Sequence, residues 1–125
     1  QYGGPYSTVI SAWMEMVRQD KPLRIDGDGE QTRDYIHVED IVSVNLFCAS
    51  YKNNFNGFTF DVGSGETVSL NDIKKNVDER LTVEWEHAPP RPGDVRHTKA
   101  DVDKLKSLGW VATIGINEGL KRCFK

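Results

Sequence analysis

Apolar positions along this chain of 125 residues recur at two spacings, one helical and one of period two. Ile10, Trp13 and Val17, with Val9 and Met16 beside them, step at helical intervals. Ser7 just ahead has N-cap chemistry, so the pattern predicts a helix that ends near Asp20, before Lys21-Pro22. Leu70, Ile73, Val77 and Leu81 form a second stripe, opened by Ser69-Leu-Asn-Asp72, a capping box with Asp in place of Glu. Residues 41–49 are apolar almost all round, which predicts a helix covered on most sides. Glu39 and Asp40 in its first turn suit the positive end of the helix dipole, and Asp40 reads as a helix-start residue. Val102, Leu105 and Leu108 predict a short helix capped by residues 98–101 and stopped by Gly109. Ile116, Leu120 and Phe124 predict a last helix over residues 115–124.

Alternation marks the strands. Phe58, Phe60 and Val62 share one face of a predicted strand over residues 57–63, and Gly63-Ser-Gly65 turns the chain after it. Val83 and Trp85 alternate with polar neighbours over residues 82–87. Residues 23–25 and 35–38 are apolar runs around a Gly/Asp-rich turn, which predicts a hairpin or a tight strand-to-strand connection. The stretch Ala88-Pro-Pro-Arg-Pro-Gly-Asp94 cannot be helical; its prolines set an extended, stiff loop. The expected fold is α/β, a small mixed sheet with about five helices, in a single domain over residues 1–125 with a modest core.

Charge and composition remove several function classes. A net charge of -3 leaves no basic face for nucleic acid and no polybasic segment for a membrane surface. No apolar run approaches the length of a membrane span. Cys48 sits in an apolar run as a buried thiol, Cys123 lies far from it, and nothing asks for a disulfide, so a reducing cytoplasm is the expected compartment. His37, His87 and His97 lack ligand spacing, and the calcium-like start at Asp26 fails at Gln31 and His37, so no metal is expected. The first residue is Gln1 rather than Met, which reads as a piece of something longer or a trimmed chain.

Candidate chemistry centres on Arg33, which follows the glycine turn with Asp34 beside it. Such a guanidinium can clamp a carboxylate or phosphate bidentately, or pair locally with Asp34 at the surface. Gly27, Asp28, Gly29, Arg33, Asp34, Val38 and Asp40, in that order, resemble the second-half signature of the NAD-dependent nucleotide-sugar epimerase/dehydratase family. These are the extended short-chain dehydrogenases, among them UDP-glucose 4-epimerase. Further stretches are similar to the same family: Tyr6, Val9, Ile10 and Trp13; Asp61-Val-Gly-Ser-Gly65; Arg91-Pro-Gly-Asp94; and Asp101, Leu108-Gly-Trp110 and Glu118-Gly-Leu120. The resemblance covers essentially the whole chain.

The resemblance implies that Arg33 and Arg91 bind the phosphates of a nucleotide diphosphate-sugar and that Asp94 binds its ribose. Thr8, Val9 and Trp13 are expected near the base; the alternative is a plain amphipathic helix with Trp13 in the core, and that is the expected role of Ile10 and Val17. Arg24 and Asp26 face the nucleotide in relatives, or form a solvent-facing pair; Tyr35, beside the Arg33-Asp34 motif, completes the candidate substrate-binding set. No Gly-x-x-Gly-x-x-Gly and no Tyr-x-x-x-Lys occur, and these carry NAD and the acid-base chemistry in a full-length member. What remains resembles the carboxyl-terminal substrate lobe, expected to hold no cofactor and to be inactive alone. Its expected partners are a UDP-sugar and either the missing dinucleotide-binding domain or a second copy in a homodimer. Residues 91–97 most resemble UDP-N-acetylglucosamine 4-epimerase-like members. A stand-alone binding module, or the lobe of a dehydratase or decarboxylase, stays open as an alternative.

Overall fold

The computed structural model describes residues 8–124. Among them lie five helices and four strands, in the order α1 (Val9–Arg18), β1 (Leu23–Asp26), β2 (Thr32–Asp34), α2 (Val38–Ser50), β3 (Thr67–Ser69), α3 (Leu70–Asp78), β4 (Trp85–Ala88), α4 (Asp103–Leu108) and α5 (Ile116–Cys123). The class is α/β, with the strands divided between two two-stranded sheets, β1 with β4 and β2 with β3. The backbone gathers into two compact units. The first contains residues up to 31, residues 69–96 and those from 120 on; the second contains residues 32–68 and 97–119.

In the first unit, β1 and β4 run parallel, with Leu23 opposite Trp85 and Asp26 opposite Ala88. Leu23 and Ile25, two residues apart, both bury fully, as one face of a strand requires. Helix α1 lies on β1. Its Trp13 is fully buried, donates its indole N–H to the Arg24 carbonyl at 2.8 Å and meets the Trp85 ring edge-on, centroids 4.9 Å apart. Thr8 caps α1 by accepting from the Ser11 amide; Ser7 and Tyr6 lie outside the described residues. The capping box of α3 forms as expected, Ser69 and Asp72 each accepting the other's amide hydrogen. Leu70, Ile73 and Val77 bury the predicted stripe, but α3 ends at Asp78, so Leu81 falls beyond it.

The second unit packs Val44 of α2 against Leu105 of α4 and Trp110, with Phe47, Cys48, Phe60 and Val62 around them. Asp40 stands in the first turn of α2, as read, but its side chain does more than face the helix dipole. It is 1% exposed and accepts from the Thr113 amide at 3.0 Å, the Thr113 hydroxyl at 3.1 Å and the Ile114 amide at 3.0 Å. The residue read as a helix-start charge is therefore the tie that holds residues 113 and 114 to α2. Asp34 does similar work: rather than pairing locally with Arg33, it accepts from the Ser64 amide and hydroxyl and from the Gly65 amide. Gly63 admits this approach, since a Cβ there would lie 2.5 Å from that of Ala100 and 2.8 Å from Asp34 Oδ2.

Four other expectations are settled or corrected. The Gly/Asp turn makes the strand-to-strand connection from β1 to β2 and not the alternative hairpin, because β1 is taken up by β4 and β2 by β3. Residues 58–62 form no strand: no ladder partner lies among the described residues, and Phe58 is 69% exposed while Phe60 and Val62 turn to the core. Thr98 does not cap α4; its amide donates to the Thr32 carbonyl, and Asp101 instead accepts from the Asp103 amide. Finally, α2 is not covered on most sides, since Val38, Val42 and Leu46, one turn apart, are all more than half exposed.

The three bonds to Asp40 set an expected outcome. Burial works against its charge, but the amides of Thr113 and Ile114 and the Thr113 hydroxyl outweigh it and hold the carboxyl below its ordinary value. Asp40→Ala, which strands two amides, should cost about 2–4 kcal/mol. Because the folded pKa is lowered, this contribution is complete above the ordinary carboxylate value and is lost as pH falls through the lowered one. Urea unfolding of wild type and variant, from neutral pH down through the carboxylate range, should show the two curves converging in acid.

Candidate functional site

Strands β1 and β4 are parallel and end in register, so the segments that follow them leave the sheet side by side. After β1 comes the turn Gly27-Asp28-Gly29; after β4 comes the proline-rich loop of residues 89–96. The Gly27 amide extends the ladder by donating to the Ala88 carbonyl at 2.8 Å, and His87 Nδ1 sits 3.0 Å from the Gly27 carbonyl. Between the two segments opens a cleft of about 500 Å3, lined by Asp26, Asp28, Gln31, Arg91, Asp94 and Arg96, with Gly27, Ala88 and Pro90.

The glycine turn is held from below by the start of α3. The Asn71 amide donates to the Gly29 carbonyl at 3.0 Å, and the Asn71 side chain donates to the Asp28 carbonyl at 3.0 Å and to Glu30. Gly29 combines a φ of +79° with contact so close that a Cβ would fall 2.2 Å from Asn71 Oδ1. Gln31 forms part of the cleft wall at 8% exposure. Its Nε2 donates to the Asp26 carbonyl at 2.8 Å, which fixes the amide's orientation and leaves Oε1 buried without a partner among the described residues.

Most charges in the cleft are already matched. Arg24 donates to Asp26 at 2.8 Å, and Arg96 forks onto both carboxylate oxygens of Asp28 at 2.8 and 2.9 Å. The hydrogen bond from Arg96, aided by the Glu30 amide, holds the Asp28 carboxyl down at about 2. Arg91 is different: it is exposed, and its guanidinium has no hydrogen-bond or ion-pair partner among the described residues. Asp94 lies on the same turn, its amide donating to the Arg91 carbonyl at 3.1 Å, with Gly93 between them. An unpaired guanidinium beside a carboxylate suits a ligand with both an anionic group and hydroxyls.

Of the residues expected at a site, Asp26, Arg91 and Asp94 come together at this cleft, and Arg24 reaches it through Asp26. Thr8, Val9 and Trp13 belong to α1 and do not line it; Thr8 is the cap, Val9 is half-buried and Trp13 is a core anchor. Arg33 and Tyr35 lie in the second unit, where Arg33 donates to the Thr32 carbonyl at 2.7 Å. Burial pushes the Tyr35 phenol up to about 12, the Arg33 charge working the other way. Sequence reasoning did not assign Arg96, Asp28, Gln31 or Asn71 to the site. No local pattern joins Arg96 to a partner 68 residues away.

Comparison with known proteins gives a consistent picture. The sequence profile of the GDP-mannose 4,6 dehydratase family matches residues 4–123. The UDP-glucuronate 4-epimerase of Thermodesulfobacterium geofontis is 34% identical over an alignment of 119 positions that covers 90% of this chain and 35% of that protein. The crystal structure of a UDP-glucose 4-epimerase from Thermotoga maritima, with UDP-glucose, superposes with a TM-score of 0.80 at 33% identity, covering 97% of this chain and 41% of its own. The UDP-glucuronic acid 4-epimerase of Bacillus cereus, in complex with UDP-glucuronic acid and NAD, superposes at 0.85 with 25% identity, covering 99% and 41%. The chain thus spans between 35% and 41% of the length of these relatives.

Proposed function

This chain belongs to the NAD-dependent nucleotide-sugar epimerase/dehydratase family, and on that premise we propose that it is the carboxyl-terminal substrate-binding lobe of an epimerase, holding the nucleotide diphosphate of a UDP-sugar. The observation that carries this reading is the Arg91 guanidinium, without a partner among the described residues, which lines the cleft together with Asp94. Arg91 neutralises the diphosphate, with Arg33 as the second phosphate ligand, and Asp94 accepts from the ribose hydroxyls. The base lies toward the start of α1, at Thr8 and Val9, over the Trp13 anchor. Tyr35, Arg24 and Asp26 complete the surroundings of the substrate.

NAD does not fit the glycine turn of this chain. A dinucleotide pyrophosphate is held where a strand passes through a glycine-rich turn into a helix N-terminus. The turn after β1 leads instead into β2. We assign NAD, and with it hydride transfer and the acid-base pair, to the remainder of a full-length member working in the cytoplasm. The role of the residues described is to bind and orient.

Calorimetry with UDP tests the site. The chain should bind UDP weakly without turning over a UDP-sugar, and Arg91→Ala or Arg33→Ala should each weaken binding by about 1.5–3 kcal/mol, the range for a bond to a charged group. Equal affinity in wild type and both variants would remove the assignment.

We also propose that the bare face of α2, Val38, Val42 and Leu46, is covered by the dinucleotide-binding domain in a full-length member and by a second copy when this chain stands alone. Each 100 Å2 of apolar surface covered contributes about 2.5 kcal/mol, and closed two-fold pairs are the commonest assemblies. Sedimentation equilibrium at micromolar concentration should give twice 14.1 kDa, and Leu46→Glu should return the single mass. A wild type that stays at 14.1 kDa rules out the dimer.

A further inference from the structure

The loop that carries Arg91 and Asp94 is exposed along its whole length, residues 89–96. Its prolines at 89, 90 and 92 stiffen it, and the bond from the Asp94 amide to the Arg91 carbonyl shapes its turn. The Arg96 fork onto Asp28 adds a tie from the end of the loop to the glycine turn. Asp28 is a firm post: its carbonyl accepts from Asn71, its Oδ1 also accepts from the Glu30 amide at 2.9 Å, and the next residue, Gly29, is seated on the Asn71 amide. The two parallel bonds of 2.8 and 2.9 Å restrain orientation as well as distance. An exposed ion pair adds little to global stability, so the consequence of this one lies in the posture of the loop.

We propose that Arg96 is a positioning residue, whose bidentate pair with Asp28 latches the loop of residues 89–96 to the glycine turn and so holds Arg91 and Asp94 ready for a nucleoside diphosphate. This rests on reading the cleft as the nucleotide site. The latch removes loop freedom before the ligand arrives, so that binding does not have to. Arg96 is distinct from Arg91 in this respect: its fork is occupied by Asp28, whereas Arg91 presents an open guanidinium.

The test combines UDP calorimetry with amide hydrogen exchange on the whole chain. The variants are Arg96→Gln, Asp28→Asn, the two combined, and Arg96→Lys. Asp28→Asn keeps the Oδ1 that accepts from Glu30 while removing the charge. Each of the two single variants should weaken UDP binding about tenfold, the scale of ordering a loop side chain or two on binding. The combined variant should be no weaker than either, since both break one interaction. Arg96→Lys should recover part of the loss. Exchange at residues 93–96 should speed up in the first three variants, while α3 and the β1–β4 ladder stay protected. Additive losses, or unchanged exchange in the loop, would overturn the latch. So would Asp28→Asn binding as well as or better than wild type while Arg96→Gln binds worse, because Arg96 would then be a direct phosphate ligand. If wild type gives no heat with UDP, the nucleotide reading falls, and the exchange data alone decide the latch.

Discussion

The parallel ladder between β1 and β4 is the constraint on which the cleft depends. Its register sets Asp26 against Ala88, so both strands stop at one level. The two segments with unusual backbone demands, the glycine turn and the triple-proline loop, then emerge next to each other although about 60 residues separate them in sequence. Binding outside the carboxyl ends of parallel strands is the general habit of α/β sheets, and here two strands of the described residues do it. That places weight on Trp13 and Trp85, which fill the space beside the ladder and tie it to α1 and, through Asp78, to α3.

The second unit is stitched by carboxylates. Asp34 gathers three donors from residues 64 and 65, and Asp40 gathers three from residues 113 and 114. Each draws a loop that has no sheet or helix of its own onto an element that does. A carboxylate can satisfy several backbone amides at once, at an angle that a ladder cannot reach. The arrangement asks for small residues at the approach, and Gly63 supplies one.

Much of this was legible in the sequence where a signal is local. The α3 stripe as far as Val77 and its capping box, the stop at Gly109 and the non-helical residues 88–94 each depend on neighbours within a turn, and each appears as read. The cleft was legible only in part. Arg91, Asp94 and Asp26 stand out by type and motif, whereas Arg96, Asn71 and Gln31 gain their roles from partners brought by the fold. Strand pairing was the weakest inference: two β-favouring runs around a Gly/Asp turn carry no information on whether they join each other or separate sheets. Asp40 shows the same limit, since its position at a helix start already had a sufficient local explanation.

Residues 58–62, Phe-Thr-Phe-Asp-Val, end outside any strand, with no ladder partner among the described residues. Its composition is strongly β-favouring, with no proline and one charge. Backbone donors and acceptors in that state are a template for strand addition, and Phe58, at 69% exposure, offers an apolar side chain to the incoming strand. Aggregation into cross-β assemblies is the general hazard of an unpaired, β-favouring segment. Asp61 is the lone charged gatekeeper within the segment.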